Sequence, residues 1–233
     1  MFLMGSNMED LIRLEAFNWL KEQTMIHGDV LPRKLLEEGF EFNGQKITLI
    51  GPKGIWKPRV FKKVPLSITT VYNGPYDDSI TGDGFLQYRY RGTDPFHGDN
   101  VGLREAMKNQ IPLIYFYGIV PGKYLAVWPV YIINDNPASL TFTIAADDVS
   151  TIERHLLSSH NIIVSDTSEI AVRKYITSSV KQRLHQKAFR ERVLLAYSQQ
   201  CAFCRIRHIC IFRTHTDTVF ENIRTVISEL SGH

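Results

Sequence analysis

The chain has 233 residues, 44% hydrophobic and 22% charged, which is typical of a globular protein with a buried core. It has neither an apolar run of about 18 residues, as a membrane helix needs, nor an N-terminal secretion signal, so we expect a cytoplasmic protein. The net charge of +3 hides a basic segment, residues 171–208, where nine lysines and arginines stand against one acid, Glu191. Such a segment favours a polyanionic partner, and a solvated helix face is the alternative.

The first fifty residues predict two helices and a hairpin. Apolar residues recur every three positions in the first helix: Leu11, Leu14, Phe17 and Leu20. A second helix is predicted over residues 31–38, and residues 40–47 alternate around Asn43-Gly44, which is a strong hairpin signal. This order resembles a small winged-helix unit, which would either dock on DNA or pack against the next domain.

Residues 51–65 are rich in glycine, proline and basic side chains. The cations of this segment are Lys53, Lys57, Arg59, Lys62 and Lys63. They are interleaved with Trp56 and Phe61, and such a mixture suits a phosphate backbone and stacked bases. We therefore predict that Lys53, Lys57 and Arg59 contact a nucleic-acid backbone, and a surface linker is the alternative.

Residues 65–146 are predicted to be mainly strands. The candidates are residues 66–71, 85–90, 113–117, 124–133 and 140–144, with one helix over 101–109. Short strands with long loops and a lone helix favour a closed or half-closed barrel. Helices are predicted again over 150–158 and 171–200. The second should carry an apolar stripe that includes Leu184 and Phe189, with its basic residues on the other face.

Residues 75–94 crowd aromatic rings, carboxylates and arginines into a loop and a strand. Along this strand Arg89 and Arg91 share one face, and Tyr88 and Tyr90 share the other. A pocket for a flipped base needs flat rings, a carboxylate that accepts from an exocyclic amine, and cations for the phosphates. The segment contains all three, and a barrel strand with core tyrosines is the alternative.

Two sets of motifs resemble known families. Tyr76-Asp77-Asp78, then 82–85, then 90–94 resemble the signature of SRA (YDG) domains, PUA-like barrels that read modified cytosine by base flipping. The wider segments 65–70, 88–95, 112–118, 128–131 and 183–190 resemble a family of bacterial HNH restriction endonucleases. In that family a barrel precedes a C-terminal HNH module, and the likeness covers roughly residues 9 to 209.

The resemblance implies roles for individual side chains. Tyr76 and Tyr90 would stack on the base, Asp77 or Asp78 would accept from its edge, and Arg89 and Arg91 would face the backbone. Tyr88 and Asp94 belong to the same predicted site. On the basic helix the predicted backbone contacts are Lys181, Arg183, Lys187 and Arg190. The glycine-rich turn that follows the SRA signature is replaced here by residues 94–100, so a modified base is a hypothesis.

The C-terminal segment begins like an HNH module with Cys201-Ala202-Phe203-Cys204. In the resembling family this pair helps to bind a structural zinc, and intact relatives cut DNA with Mg²⁺ or Mn²⁺. Cys201 and Cys204 are therefore candidate zinc ligands, and free thiols are the alternative. The family's His/Asn/His core is missing after Ile209, so we expect a truncated module without cleavage activity.

These patterns predict an α+β protein in three parts. They are a helical and hairpin unit (1–60), an SRA/PUA-like barrel (61–150), and a basic helical region with an incomplete HNH (ββα-metal) module (151–233). The predicted function is DNA binding, related to modification-dependent restriction endonucleases, in which a flipped base is read and not cut. Two alternatives stay open: a metal-dependent nuclease completed by oligomerisation, for instance as a homodimer, and a PUA-like binder of RNA or a modified nucleotide.

Overall fold

The structure, a computed structural model, describes residues 8–72, 85–147, 166–198 and 200, and of residues 166–171 the backbone alone. The helices are α1 (Met8–His27), α2 (Arg33–Glu38), α3 (Gly98–Lys108) and α4 (Asp166–Ala196). The strands are β1 (Val30–Pro32), β2 (Phe40–Phe42), β3 (Gln45–Ile47), β4 (Ile55–Trp56), β5 (Ser67–Thr70), β6 (Leu86–Arg89), β7 (Leu113–Val120), β8 (Lys123–Asn136) and β9 (Thr141–Ala146). None of the described helices has the length and apolar character needed to cross a membrane.

Seven strands form one curled sheet in the order β4-β5-β7-β8-β9-β6, and β1 also pairs with β8. The β5–β7 pair is parallel and the other pairs in this sheet are antiparallel. The two ends of the sheet approach each other: the Tyr88 hydroxyl of β6 lies 3.5 Å from the Thr69 carbonyl oxygen of β5. The mixed α+β architecture and the half-closed barrel are therefore confirmed.

Strand β7 is buried on both faces, which explains its continuous apolar sequence. Leu113, Tyr115 and Ile119 point to the barrel interior, whereas Ile114 and Phe116 point to a second core outside the sheet. The second core is filled mainly by the N-terminal elements, including Ile12, Phe17 and Leu20 of α1 and Leu36 of α2. The N-terminal unit thus packs against the sheet, which is one of the two roles predicted for it.

The β2–β3 hairpin is confirmed, and Asn43 and Gly44 at its turn have φ angles of 50° and 75°. Both values suit a type I′ turn, which the Asn-Gly pair adopts readily. Helix α2 is shorter than predicted and begins at Arg33, because Leu31 and Pro32 pair with β8 instead. The predicted winged-helix arrangement is not confirmed.

Sequence reasoning missed β4, which lies inside the segment predicted to be a loop. Its Trp56 donates an indole hydrogen bond to the Thr48 carbonyl oxygen at 3.0 Å. Phe61 is 3% exposed and lies under the guanidinium of Arg13, 4.8 Å from the ring centroid. Phe61 therefore belongs to the core and does not offer a ring to a base.

The buried Arg13 fixes α1 to the barrel. Its guanidinium donates to the carbonyl oxygens of Pro112 (3.1 Å) and Val64 (3.3 Å), and burial lowers the pKa of Arg13 to about 10. Because a buried guanidinium needs acceptors for its donors, these contacts specify how α1 sits on the sheet.

Helix α4 contacts the sheet through one face. Val180, Leu184 and Ala188 join the barrel core, and the Thr177 hydroxyl accepts a hydrogen bond from the Ala146 amide at 2.9 Å. Phe189 was predicted to belong to the apolar stripe but is 70% exposed. It follows that the buried face is set by packing against the sheet, which the helical pattern alone did not show.

The chain divides into two compact units, residues 1–192 and 193–233. Of the second unit the structure describes the end of α4 and residues 197, 198 and 200. The predicted division at residues 60 and 150 stays a prediction, although β1 and β4 precede residue 60 and belong to the main sheet. The helix predicted over 150–158 lies outside the described residues.

Candidate functional site

A cavity of about 320 Å³ lies where the two ends of the curled sheet approach each other. We call it the seam cavity, and it is lined by residues 52–55, 69–71 and 88–91. Among the residues predicted from sequence, it brings together Lys53, Tyr88, Arg89, Tyr90 and Arg91. Two segments that are more than thirty residues apart in the chain thus meet at one site because the sheet curls.

Strand β6 and the residues after it form one wall of the seam cavity. The predicted alternation is confirmed, since Tyr88 and Tyr90 are buried, Arg89 is exposed and Arg91 is half-buried. Tyr88 packs edge-on against Tyr115 with ring centroids 6.4 Å apart. The tyrosines therefore build the inner wall, and Arg89 lies at the solvent side.

Tyr90 is held from three directions. Its ring stacks on Phe142 with centroids 4.5 Å apart, and its hydroxyl donates to a carboxylate oxygen of Asp135. Arg104 donates to the same carboxylate at 2.5 Å and to the Tyr90 hydroxyl at 3.2 Å. Burial and the bond to Asp135 raise the pKa of Tyr90. The ring is thus committed to the core, contrary to the expectation that its face would stack on a base.

The loop over residues 91–100 is organised by the side chain of Asn100, which is fully buried. Its carbonyl oxygen accepts from the Arg91 amide at 2.8 Å, and its amide donates to the carbonyl oxygens of Arg91 (3.1 Å) and Asp94 (2.8 Å). Arg91 also pairs with the carboxylate of Asp99. One side chain therefore closes the loop and places Arg91 at the cavity.

The remaining polar groups of this loop serve local structure. The Asp94 carboxylate accepts from the Phe96 amide at 2.8 Å, and His97 Nδ1 accepts from the Asp99 amide at 3.1 Å at the start of α3. The loop leaves Phe96 81% exposed. Sequence reasoning missed this residue, and the available signal was an isolated aromatic ring among turn-forming residues.

A second concavity, of about 260 Å³, adjoins α3. We call it the lysine groove, and it is lined by Lys57, Lys62, Lys63, Gly98, Val101, Gly102 and Glu105. Lys57 donates to the Lys62 carbonyl oxygen at 2.8 Å, and Glu105, the acid of the groove, pairs with Lys108 at 3.3 Å. The groove is therefore positively charged. Arg59 is exposed and lines neither concavity.

The basic helix differs from the prediction. Lys181 is 7% exposed on the buried face of α4, where burial lowers its pKa, so it does not share the exposed face with the other cations. Lys187 pairs with Asp29 at 3.1 Å, and Arg190 approaches Glu191 at 3.6 Å. Arg183 is exposed and lines a separate cavity of about 380 Å³. Some of the side chains predicted to bind phosphate are thus buried or paired with carboxylates of the protein itself.

Several predicted site residues lie outside the described residues: Tyr76, Asp77, Asp78, Cys201 and Cys204. Within the described ranges, no three histidine, cysteine or acidic side chains are close enough to hold a metal ion. The zinc and magnesium or manganese expectations therefore stay predictions.

No protein-family model matches the sequence, and none of the curated proteins matches it. Among solved structures, the chain is similar to the SRA domain of SUVH5, whose crystal structure is described as a complex with methylated CHH DNA. The identity is 16% and the TM-score 0.30, over 47% of this chain and 87% of that one.

Proposed function

We propose that this chain binds DNA and takes one base into the seam cavity. The observation that carries the proposal is the cavity itself, in which an inner wall of tyrosines and aliphatic side chains meets a cationic rim. Its volume of about 320 Å³ is at the small end of the range for ligand sites, which suits a small planar group.

The charge around the cavity supports an anionic ligand. Lys53 and Arg89 line it and are exposed, and neither forms an ion pair with another described residue. The lysine groove beside α3 adds three cations, Lys57, Lys62 and Lys63. Because phosphate contacts supply most of the sequence-independent affinity for DNA, these cations would hold the backbone while the base enters the cavity.

The carboxylates predicted to read the base belong to a segment that connects two strands of this site. Asp77 and Asp78 belong to the connection between β5 and β6, and residues at the end of β5 and along β6 line the cavity. In the proposal one of them accepts from the exocyclic amine of a flipped cytosine. Preference for a modified cytosine and descent from HNH restriction endonucleases stay hypotheses drawn from the sequence resemblance.

The first experiment measures binding of the full chain to three matched duplexes at two salt concentrations, by fluorescence anisotropy. The duplexes carry cytosine, methylcytosine or hydroxymethylcytosine at one position. We expect binding that weakens with salt, with a slope of log K against log salt of about −0.9 for each phosphate contact. Lys53→Ala and Arg89→Ala should each reduce the slope by about 1, because each removes one phosphate contact.

Lys21→Ala is the matched control, because Lys21 is exposed on α1 and lines neither concavity. Its affinity and slope should equal those of the unchanged protein. Affinities and slopes of Lys53→Ala and Arg89→Ala that equal those of Lys21→Ala would place the DNA elsewhere on the surface. Preference for a modified duplex that disappears in Asp78→Ala would support reading of a flipped base, and equal binding to all three duplexes would remove the modified-base hypothesis.

A further inference from the structure

We infer that Phe96 stacks on a nucleobase beside the seam cavity, so that the 91–100 loop is a second base-contacting element. The inference rests on the proposed DNA binding and adds a residue that sequence reasoning did not select.

The first observation is the exposure of the ring. Phe96 is 81% exposed, whereas Phe17, Phe61 and Phe142 are each 4% exposed or less. A phenylalanine ring that contacts water loses the favourable free energy that its burial in the core would provide. A ring in this position is therefore available for a partner, and it contributes nothing comparable to the core.

The second observation is that the loop holds the ring in place. The Phe96 amide donates to Asp94, the Pro95 carbonyl oxygen accepts from Arg104 at 3.3 Å, and Asn100 closes the loop behind them. A backbone fixed before binding loses little conformational entropy when a ligand arrives. The loop thus presents Phe96 in a preorganised way, unlike an aromatic residue on a loose terminus.

The third observation is the position of the loop. It begins at Arg91, which lines the seam cavity, and it runs into Gly98, which lines the lysine groove. An exposed ring on a loop whose two ends line cationic concavities matches a nucleic-acid strand, in which bases and phosphates alternate. An apolar protein surface would have to leave Lys57, Lys62 and Lys63 without partners, which disfavours that occupant.

The test compares Phe96→Ala, Phe96→Trp and Met25→Ala in the full chain, with the same duplexes and with single-stranded DNA. Met25 is the matched control, because it is 79% exposed near the end of α1 and lines neither the seam cavity nor the lysine groove. We expect Phe96→Ala to raise Kd about 5- to 150-fold, since stacking on an aromatic ring contributes ~1–3 kcal/mol per base. Met25→Ala should change Kd by less than about twofold.

Phe96→Trp tests the contact directly and should retain affinity. Its added tryptophan fluorescence, compared with that of the unchanged protein, should be quenched by DNA and not by inorganic polyphosphate, which has charge but no bases. Unchanged affinity in Phe96→Ala, or a tryptophan at position 96 that DNA does not quench, would overturn the inference and leave the proposed function standing. Failure of the unchanged protein to bind any DNA would overturn both.

Discussion

Replacing Asn100 should disturb the 91–100 loop and leave the rest of the fold in place. In Asn100→Ala the loop loses a fully buried side chain that makes three hydrogen bonds to its backbone. The hydrophobic core is left in place, because Asn100 belongs to neither core cluster.

The magnitude follows from the bonds. Each intramolecular hydrogen bond contributes about 1 kcal/mol net, so loss of the three lowers the free energy of unfolding by roughly 3 kcal/mol. A larger loss would require the backbone groups of Arg91 and Asp94 to stay buried and unpaired. The loop can relax instead, because Gly92, Thr93 and Asp94 are exposed. We therefore expect a value close to 3 kcal/mol.

The assay is equilibrium urea unfolding followed by far-ultraviolet circular dichroism, with DNA binding measured on the folded protein. Asn109→Ala is the control, since Asn109 is exposed at the end of α3 and its side chain makes one bond, to the Glu105 carbonyl oxygen at 2.9 Å. It should lose no more than about 1 kcal/mol.

Asn100→Ala should also weaken DNA binding, because Arg91 and Phe96 are no longer held in position. A destabilisation below about 1 kcal/mol, equal to that of the control, would refute the view that Asn100 organises the loop. If the free energy of unfolding falls by the predicted amount while the DNA affinity stays unchanged, the link between the loop and binding is refuted.

Three further predictions concern the fold. Arg173→Met should lower the free energy of unfolding by ~1.5–3 kcal/mol in chemical unfolding, because it removes the charge-assisted hydrogen bond that Arg173 donates to the buried carboxylate of Asp147 at 2.9 Å. The exposed Lys174→Met should change it little. Gly102→Ala should lower the free energy of unfolding by ~1–3 kcal/mol, since its Cβ would lie 2.8 Å from the Lys63 carbonyl oxygen. Gly98→Ala, which has open space around it, should not lower it. Equal effects of the two substitutions would disprove the close packing at Gly102. Burial raises the pKa of Tyr131 from 10 to about 12, so the folded state favours the neutral phenol, and this stabilisation is complete below pH 10 and lost as the pH rises to about 12. Tyr131→Phe should remove the part of the stability loss between pH 10 and about 12 that comes from this phenol. Identical alkaline unfolding curves for the variant and the unchanged protein would contradict this prediction.

Local patterns predicted most of the elements. The alternation along residues 86–90 and the Asn43-Gly44 turn depend on neighbours in the chain, and both are found where they were expected. Strand β4 was missed because its two residues are too few to show a period among glycines, prolines and lysines. Its pairing with β5 depends on residues that are distant in the sequence.

The site could be predicted in part for the same reason. The sequence places Tyr88, Arg89, Tyr90 and Arg91 on one strand, and the structure brings Lys53 to them through the curl of the sheet. Tyr90 was expected to offer a ring face, but Asp135 and Phe142, more than forty residues away, hold it in the core. Helical periodicity likewise gave no sign that Lys181 lies on the face that packs inward.

The parallel pairing of β5 with β7 has a consequence for folding and for variation. Two parallel neighbours need a crossover connection, and residues 71–112 provide it while carrying β6, the 91–100 loop and α3. This one connection contributes about half of the residues that line the two concavities, so its exchange would replace them as a block. Pairing β5 with β7 closes a loop of about forty residues, and contacts between residues so far apart in the sequence slow folding. Sequence changes in this segment should therefore alter ligand choice and folding rate together.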